Sequence, residues 1–307
     1  MFIRTIALCL ASAASLTACA SVVSPAAVAA SAATQPAVSF ASDRISVTTQ
    51  GSGPDVILIP GLSSSPRVWA STVAAVPGYR YHLVQVKGFA GVPAEANGSG
   101  SVAAPVAAEI ARYIQAARLA KPAVVGHSMG GTIGMMLAAR NPDAVGRLMV
   151  VDMMPFMGAM FGGPGATADS VRPVAEQIRA AISGPVTPAG EKMLEATMTG
   201  MIRTESERPA ALADSRASDR ATSGNSYYEL VTTDLTSELA RIAVPVRVLY
   251  VTPTGAPLSD AQMDGFYRAA YRNVPNATLT RIPDSAHFIM FDQPARFRQE
   301  LKDFLTG

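Results

Sequence analysis

The residues of this sequence that could do covalent chemistry centre on Gly126-His127-Ser128-Met129-Gly130. Ahead of them, Ala123-Val124-Val125 suits a short buried strand, and residues 131–140 suit a helix. Gly-x-Ser-x-Gly between a strand and a helix is a sharp turn that holds its serine at the tip, with the hydroxyl projecting off the sheet. The spacing has a steric reason. Gly126 and Gly130 lie two residues either side of Ser128, where a Cβ would meet the crossing strand and helix. The Met129 N–H, at the start of the helix, can point at an oxyanion developing on whatever Ser128 attacks. A serine hydroxyl is a poor nucleophile until a base takes its proton, and the chain offers three histidines. His127 is beside Ser128, where the turn aims it elsewhere. His82 lies inside a strand well before the turn and reads as a core or edge histidine. His287 follows the last strand.

These groups need elements to position them. Residues 44–49 alternate enough for a strand, and Gln50-Gly51-Ser52-Gly53-Pro54 is turn chemistry. Residues 56–59 form a continuous apolar run suited to a parallel sheet covered on both faces, and residues 81–86, 147–151, 246–251 and 277–282 read as further strands. Helices are expected at 66–75, from Pro105 onward with Val106, Ile110 and Ile114 on one face, and at 294–305 with Phe297, Leu301 and Phe304 on one face. The helix after Ser128 has a stripe of Ile133, Met136 and Leu137 and stops at Asn141-Pro142. Residues 97–101 read as a Gly/Ser loop. From residue 153 to about 240 the pattern changes: Met153, Met154, Met157 and Met160 sit among Pro and Gly, and helical stretches follow at 175–182, 191–203 and 210–220.

Several of these stretches resemble the α/β-hydrolase superfamily. Gly-His-Ser-Met-Gly-Gly at 126–131 looks like its nucleophile elbow. Pro60-Gly61-Leu62-Ser63 looks like the loop where His-Gly is more usual, and Lys87-Gly88-Phe89-Ala90-Gly91 like one where Asp-x-Arg-Gly-x-Gly is more usual. Pro283-Asp284-Ser285-Ala286-His287-Phe288 looks like its Gly-x-x-His loop. The resemblance implies an α/β fold, a mostly parallel central sheet flanked by helices. Its core would be in two parts, 41–152 and 241–307, around an inserted helical cap at 153–240. Leu62 would supply the second oxyanion N–H beside Met129, which Pro60 in place of His leaves intact. His287 would be the base, in the chain order serine, acid, histidine.

The acid stays open. Its usual place is just after strand 246–251, but residues 251–258 carry no carboxylate. Asp260 is the first, in the first turn of the next helix, where favouring the helix dipole is a sufficient role. Some superfamily members place the acid after the earlier strand, here Asp152. We favour Asp152 over Asp260, with Asp284 a distant third. The implied activity is a serine hydrolase, a carboxylesterase cleaving small to medium apolar esters through an acyl-enzyme, with no metal or organic cofactor. Ser128 at the nucleophile position argues against dehalogenase and epoxide hydrolase chemistry, which need Asp there. The alternatives are another serine-dependent reaction of this superfamily (peptide, lactone or carbon–carbon hydrolysis, or haloperoxidation) and a non-catalytic binding protein on the same fold. Methionine is adaptable and suits a pocket for varied apolar groups, while for any single one of these methionines packing in a helical core is the favoured role.

The N-terminus reads as an address. A basic start at Met1-Phe2-Ile3-Arg4 precedes an apolar run over 5–18, shorter than the roughly 20 residues that span a bilayer. Residues 1–19 therefore suit a signal peptide. Leu16-Thr17-Ala18-Cys19 resembles the lipobox of bacterial lipoproteins, in which the cysteine is lipidated; ordinary cleavage near Val28-Ala29-Ala30 is the alternative. Residues 20–40, rich in Ala, Ser, Pro and Val, suit a flexible tether. The expectation is an exported bacterial protein, periplasmic or anchored at the outer membrane. Cys9 and Cys19 are the only cysteines, which excludes a disulfide or thiolate metal site from the rest of the chain. Net charge is +2 with no basic tract, so nucleic-acid binding has no electrostatic support.

Overall fold

Short runs of Val, Ile and Leu build the centre of the molecule. The computed structural model describes residues 40–307 other than 164, 254, 256 and 257. The expected signal peptide, Cys19 and the tether up to residue 39 lie outside these residues. β2 (Asp55–Ile59), β4 (Ala123–His127) and β5 (Arg147–Val151) are buried at nearly every position, as strands covered on both faces must be. β1 (Ile45–Gly51), β3 (Arg80–Val86), β6 (Val246–Tyr250) and β7 (Ala277–Arg281) complete one sheet in the order β1-β3-β2-β4-β5-β6-β7. Every neighbouring pair is parallel except β1 with β3. The alternation of β1 is thus that of an edge strand with its outer side chains in solvent. The protein has the α/β fold, with a mostly parallel sheet flanked by helices.

Successive side chains of β2 point to opposite faces. Ile57 and Ile59 join one core with Ile110, Ile133 and Leu137; Val56 and Leu58 join a second with Trp69, Phe297 and Leu301. The first face carries α2 (Ala103–Ala116), α3 (Met129–Arg140) and α9 (Asp260–Ala270). The second carries α1 (Ala70–Ala75), α10 (Ile289–Asp292) and α11 (Pro294–Thr306). The stripe expected on α3 understates its burial, because every residue from Met129 to Ala139 is buried. Gly131 and Gly134 permit this: a Cβ there would lie 2.9 Å from Val150 and 2.8 Å from Leu148, both on β5. α2 starts at Ala103, two residues ahead of Pro105, and the expected loop at 97–101 begins as a 3-10 turn over Glu95–Gly98.

The insert between β5 and β6 holds α4 (Ala159–Gly162), α5 (Ala168–Ser183), α6 (Pro188–Met201), α7 (Arg208–Ala217) and α8 (Arg220–Thr232). α8 has no counterpart among the helices expected from the sequence, which include one at 210–220. The chain breaks instead at Ser218, and Asp219 caps α8 by accepting the Thr222 N–H. The buried side of α8 is largely small and polar, with Thr222, Ser223, Gly224, Ser226 and Glu229, so it shows no apolar stripe. The Glu229 carboxylate accepts the N–H groups of Val102, Ala103 and Ala104 at 2.6, 2.8 and 2.9 Å, capping α2 from the insert.

The edge of the sheet where β2 and β3 begin is its foot. There His82 lies between Tyr113 Oη at 2.6 Å and Asp55 Oδ1 at 2.9 Å, and Arg80 grips Asp55 with two nitrogens at 2.5 and 3.0 Å. Phe40 packs edge-on against Tyr113 at 5.1 Å. Arg112 lies 4.3 Å over the Phe40 ring and donates to the Ala41 carbonyl at 2.6 Å.

Candidate active site

The opposite edge of the sheet, where β2, β4 and β5 end, brings the chemistry together. Ser128 has φ 54 and ψ −123, a backbone shape that side-chain-bearing residues rarely adopt and that costs about 1–3 kcal/mol. The surroundings impose it. Ser128 N–H donates to Val151 O at 2.9 Å, and its own carbonyl accepts Gly131 N–H at 2.7 Å and Thr132 N–H at 3.2 Å. A Cβ on Gly126 would lie 2.0 Å from Gly130 O, and one on Gly130 would lie 2.2 Å from Ile59 O. No larger residue fits either position without moving backbone.

β2 runs into Pro60-Gly61-Leu62-Ser63, and this loop lies against the elbow. A Cβ on Gly61 would sit 3.1 Å from Ser128 Cβ and 3.1 Å from His127 Nδ1. Leu62 follows directly, and Met129 opens α3 after Ser128. Among the described residues, neither the Leu62 nor the Met129 amide donates to another backbone carbonyl.

His287, on the loop after β7, donates from Nδ1 to Asp152 Oδ2 at 2.6 Å. With that proton on Nδ1, Nε2 is the ring nitrogen left to accept one. Asp152 directly follows β5, at φ 51, and donates its own N–H to Leu249 O at 2.7 Å. Its second oxygen accepts the Val251 N–H at 3.1 Å and the Tyr267 hydroxyl at 3.3 Å. Burial, and then the Asp152 charge, push the Tyr267 phenol well above its usual range, so it stays a donor. Asp260 is engaged elsewhere: it opens α9, accepts the Thr252 hydroxyl at 2.7 Å and pairs with Arg281 at 2.8 Å. Asp284 points outward with its side chain 88% exposed, 4.0 Å from Arg203. The structure thus brings Asp152, and neither Asp260 nor Asp284, to His287.

Three contributors escaped the sequence reading. His127 does point away from solvent, but its fully buried ring lies under His287 with centroids 4.6 Å apart, and Nε2–H donates to the His287 carbonyl at 3.0 Å. Burial, then any charge on His287, hold its pKa well below the ordinary value, so His127 is a neutral support. Asp292 accepts the Ala286 N–H at 2.9 Å and the N–H groups of Arg203 and Thr204, tying the His287 loop to the insert. Tyr267 is the third. Only His127 had a local signal, an imidazole in a strand that is otherwise apolar or glycine. Among the described residues no three His, Cys, Asp or Glu side chains group as a metal site.

A model of the alpha/beta hydrolase family matches residues 56–300. The chain belongs to the alpha/beta hydrolase family. This alpha/beta hydrolase is 26% identical over 265 residues to the pimeloyl-(acyl-carrier protein) methyl ester esterase of Pectobacterium carotovorum, covering 83% of this chain and 96% of that protein. The enzyme of the same name from Aliivibrio salmonicida is 26% identical over 270 residues, covering 84% and 94%. An esterase from Exiguobacterium antarcticum superposes with a TM-score of 0.70 at 20% identity, covering 86% of this chain and 96% of that one. The enol-lactonase of Burkholderia xenovorans gives 0.68 at 19%, with the same coverage. The solved structures share the fold of this alpha/beta hydrolase, and its sequence relatives are esterase-like.

Proposed function

We propose that this alpha/beta hydrolase is a serine esterase acting on small to medium apolar carboxylic esters through an acyl-enzyme. Ser128 is the nucleophile, His287 the base and Asp152 the acid. The observation that carries the reading is the 2.6 Å contact from His287 Nδ1 to Asp152, at the same sheet edge as the strained Ser128. His287 Nε2 takes the Ser128 proton as Oγ attacks the ester carbonyl carbon. The carbonyl electron pair moves to oxygen, where the Met129 and Leu62 amides hold it; each such donor is worth about 10²–10³ in rate. The intermediate collapses, the C–O bond to the alcohol breaks, and His287 returns its proton to the leaving oxygen. A water molecule, deprotonated by His287 in turn, releases the acid. Asp152 stabilises the imidazolium at each stage. The names of the esterase relatives agree with ester cleavage.

With this reading goes a location. Residues 1–19 are a signal peptide lipidated at Cys19, 20–40 a tether and 153–240 a cap, in a protein of the bacterial periplasm or outer membrane. The N-terminal residues support this, and loss of membrane fractionation in Cys19→Ala checks it.

The test of the activity is hydrolysis of p-nitrophenyl esters of graded chain length by the purified protein, beside fluorophosphonate labelling. Turnover of short and medium esters with labelling confined to Ser128 supports the proposal. A wild type inert to every ester and to the probe refutes it and favours a binding role.

A further inference from the structure

We infer that Asp214, on α7 of the insert, is a positioning residue that sets the Leu62 amide for the oxyanion. This rests on the serine-esterase reading above. The loop that carries Leu62 is held from two sides. Upstream, β2 is hydrogen-bonded into the sheet, and the carbonyls of Ile59 and Pro60 press on Gly130, where a Cβ would lie 2.2 and 2.7 Å from them. Downstream, no strand or long helix takes over. Ser63 has φ 53, Ser64 makes a turn back to the Gly61 carbonyl at 3.3 Å, and the chain enters a 3-10 turn at Pro66–Trp69 that runs into the six-residue α1.

The insert holds this downstream half. A single oxygen of Asp214, Oδ2, accepts the Ser65 N–H at 3.1 Å and the Ser65 hydroxyl at 2.6 Å, and lies 2.9 Å from Arg67 Nη2. The same guanidinium donates to Ala210 O, one helical turn earlier on α7, at 2.6 Å. Ser63 adds a hydroxyl contact of 2.9 Å to Ser223 on α8. Leu62 therefore sits between an anchor in the sheet and an anchor in the insert. Charge-assisted bonds to one buried-facing oxygen are short and directional, which is what fixing an amide to within a few tenths of an ångström requires. The Asp214 side chain is 16% exposed, so bulk water replaces these bonds poorly.

A second face of α7 supplies the control. Arg216 points to α6, pairing with Glu191 at 3.0 Å and Glu195 at 2.7 Å, and touches neither the loop nor the elbow. The experiment compares wild type with Asp214→Ala, Asp214→Asn, Ser65→Ala and Arg216→Ala. It measures kcat and KM on one p-nitrophenyl ester, the Ki of a trifluoromethyl ketone that forms an anionic hemiketal with serine, and thermal melting. Asp214→Ala is expected to lower kcat about 10–100-fold, the scale of a misplaced group near the reacting atoms, with KM nearly constant. The ketone Ki should rise by the same factor. Asp214→Asn should recover part of the loss, Ser65→Ala should lose less, and Arg216→Ala should match wild type. A folded Asp214→Ala with unchanged kcat and ketone Ki overturns the inference. So does a loss in which KM rises alone, since that marks a binding surface and not oxyanion geometry. If Asp214→Ala does not fold, Ser65→Ala decides by the same criteria. An inert, unlabelled wild type instead sinks the esterase reading on which this one stands.

Discussion

At the mouth of the sheet, His287 donates a hydrogen bond from Nδ1 to Asp152, which leaves Nε2 uncommitted; at the foot, His82 meets Asp55 with Nε2 and Tyr113 with Nδ1. Both are histidine–aspartate pairs at hydrogen-bonding distance, yet their surroundings differ in two ways. The foot leaves no ring nitrogen over: a carboxylate only accepts, so Nε2 carries the proton, and Nδ1 accepts from the Tyr113 hydroxyl. It also spends its carboxylate on Arg80. Burial alone would raise the Asp55 carboxyl, but the bonds from Arg80 and His82 outweigh it and hold it below its usual range. His82, 3% exposed, is held below the ordinary imidazole value by that burial, against the pull of Asp55. At the mouth, Asp152 meets only neutral donors besides His287, namely the Val251 amide and the Tyr267 hydroxyl, so its charge remains to stabilise an imidazolium. On the esterase reading proposed above, a histidine–aspartate contact moves protons only where the other nitrogen and the carboxylate charge are both left available.

Six substitutions break or sharpen this contrast. Ser128→Ala and His287→Ala should each lower ester turnover by about three orders of magnitude or more, measured as kcat with melting temperature as a check on folding. Next, Asp152→Asn should cost about 10²–10⁴ in kcat by favouring the wrong tautomer, while Asp260→Asn keeps wild-type turnover. The reverse pattern would move the acid to α9. At the foot, His82→Gln should leave kcat alone but reduce unfolding free energy in urea by about 1–3 kcal/mol, the cost of orphaned buried partners. The pH dependence has a definite sign here. A folded-state pKa below the unfolded value of about 6.5 means the unfolded chain takes the proton first. The stability tied to neutral His82 is full above pH about 6.5 and is lost as the pH falls toward the folded value. Melting temperature against pH from 7 to 5 should therefore flatten in His82→Gln. The residual slope belongs to His127, also depressed by burial and by His287. Smallest of all, Tyr267→Phe should lower kcat a few-fold, about the worth of one hydrogen bond, with the acid limb of the pH–rate profile displaced.

The elbow was legible because its constraints are local: two glycines, a serine and the strand and helix beside them dictate each other within a few residues. The apolar runs gave six of the seven strands within a residue or two, and the alternation of residues 44–49 gave the remaining edge strand. For the partner of His287 the sequence carried a preference for Asp152 and no decision against Asp260, because only the direction of each side chain separates them. Arg281 and Thr252, which occupy Asp260, lie far apart in the chain. α8 was missed for a different reason. It buries Thr222, Ser223 and Glu229, whose partners (Asn97 O, Ser63 and the α2 amides) supply the hydrogen bonds that make a polar face burial-competent. Such a helix carries no apolar stripe, although Asp219, two residues past the end of α7, is a usable start signal.

The seating of Phe40 has a practical corollary. The first described residues clip onto Tyr113 and Arg112 at the foot, the pole of the sheet away from Ser128. A bead, electrode or sensor surface joined by a linker ahead of Phe40 therefore grips the enzyme by its heel. An immobilised layer made this way presents its mouths to the flowing liquid, and a pulling force applied there loads the Phe40 clip before it reaches the elbow.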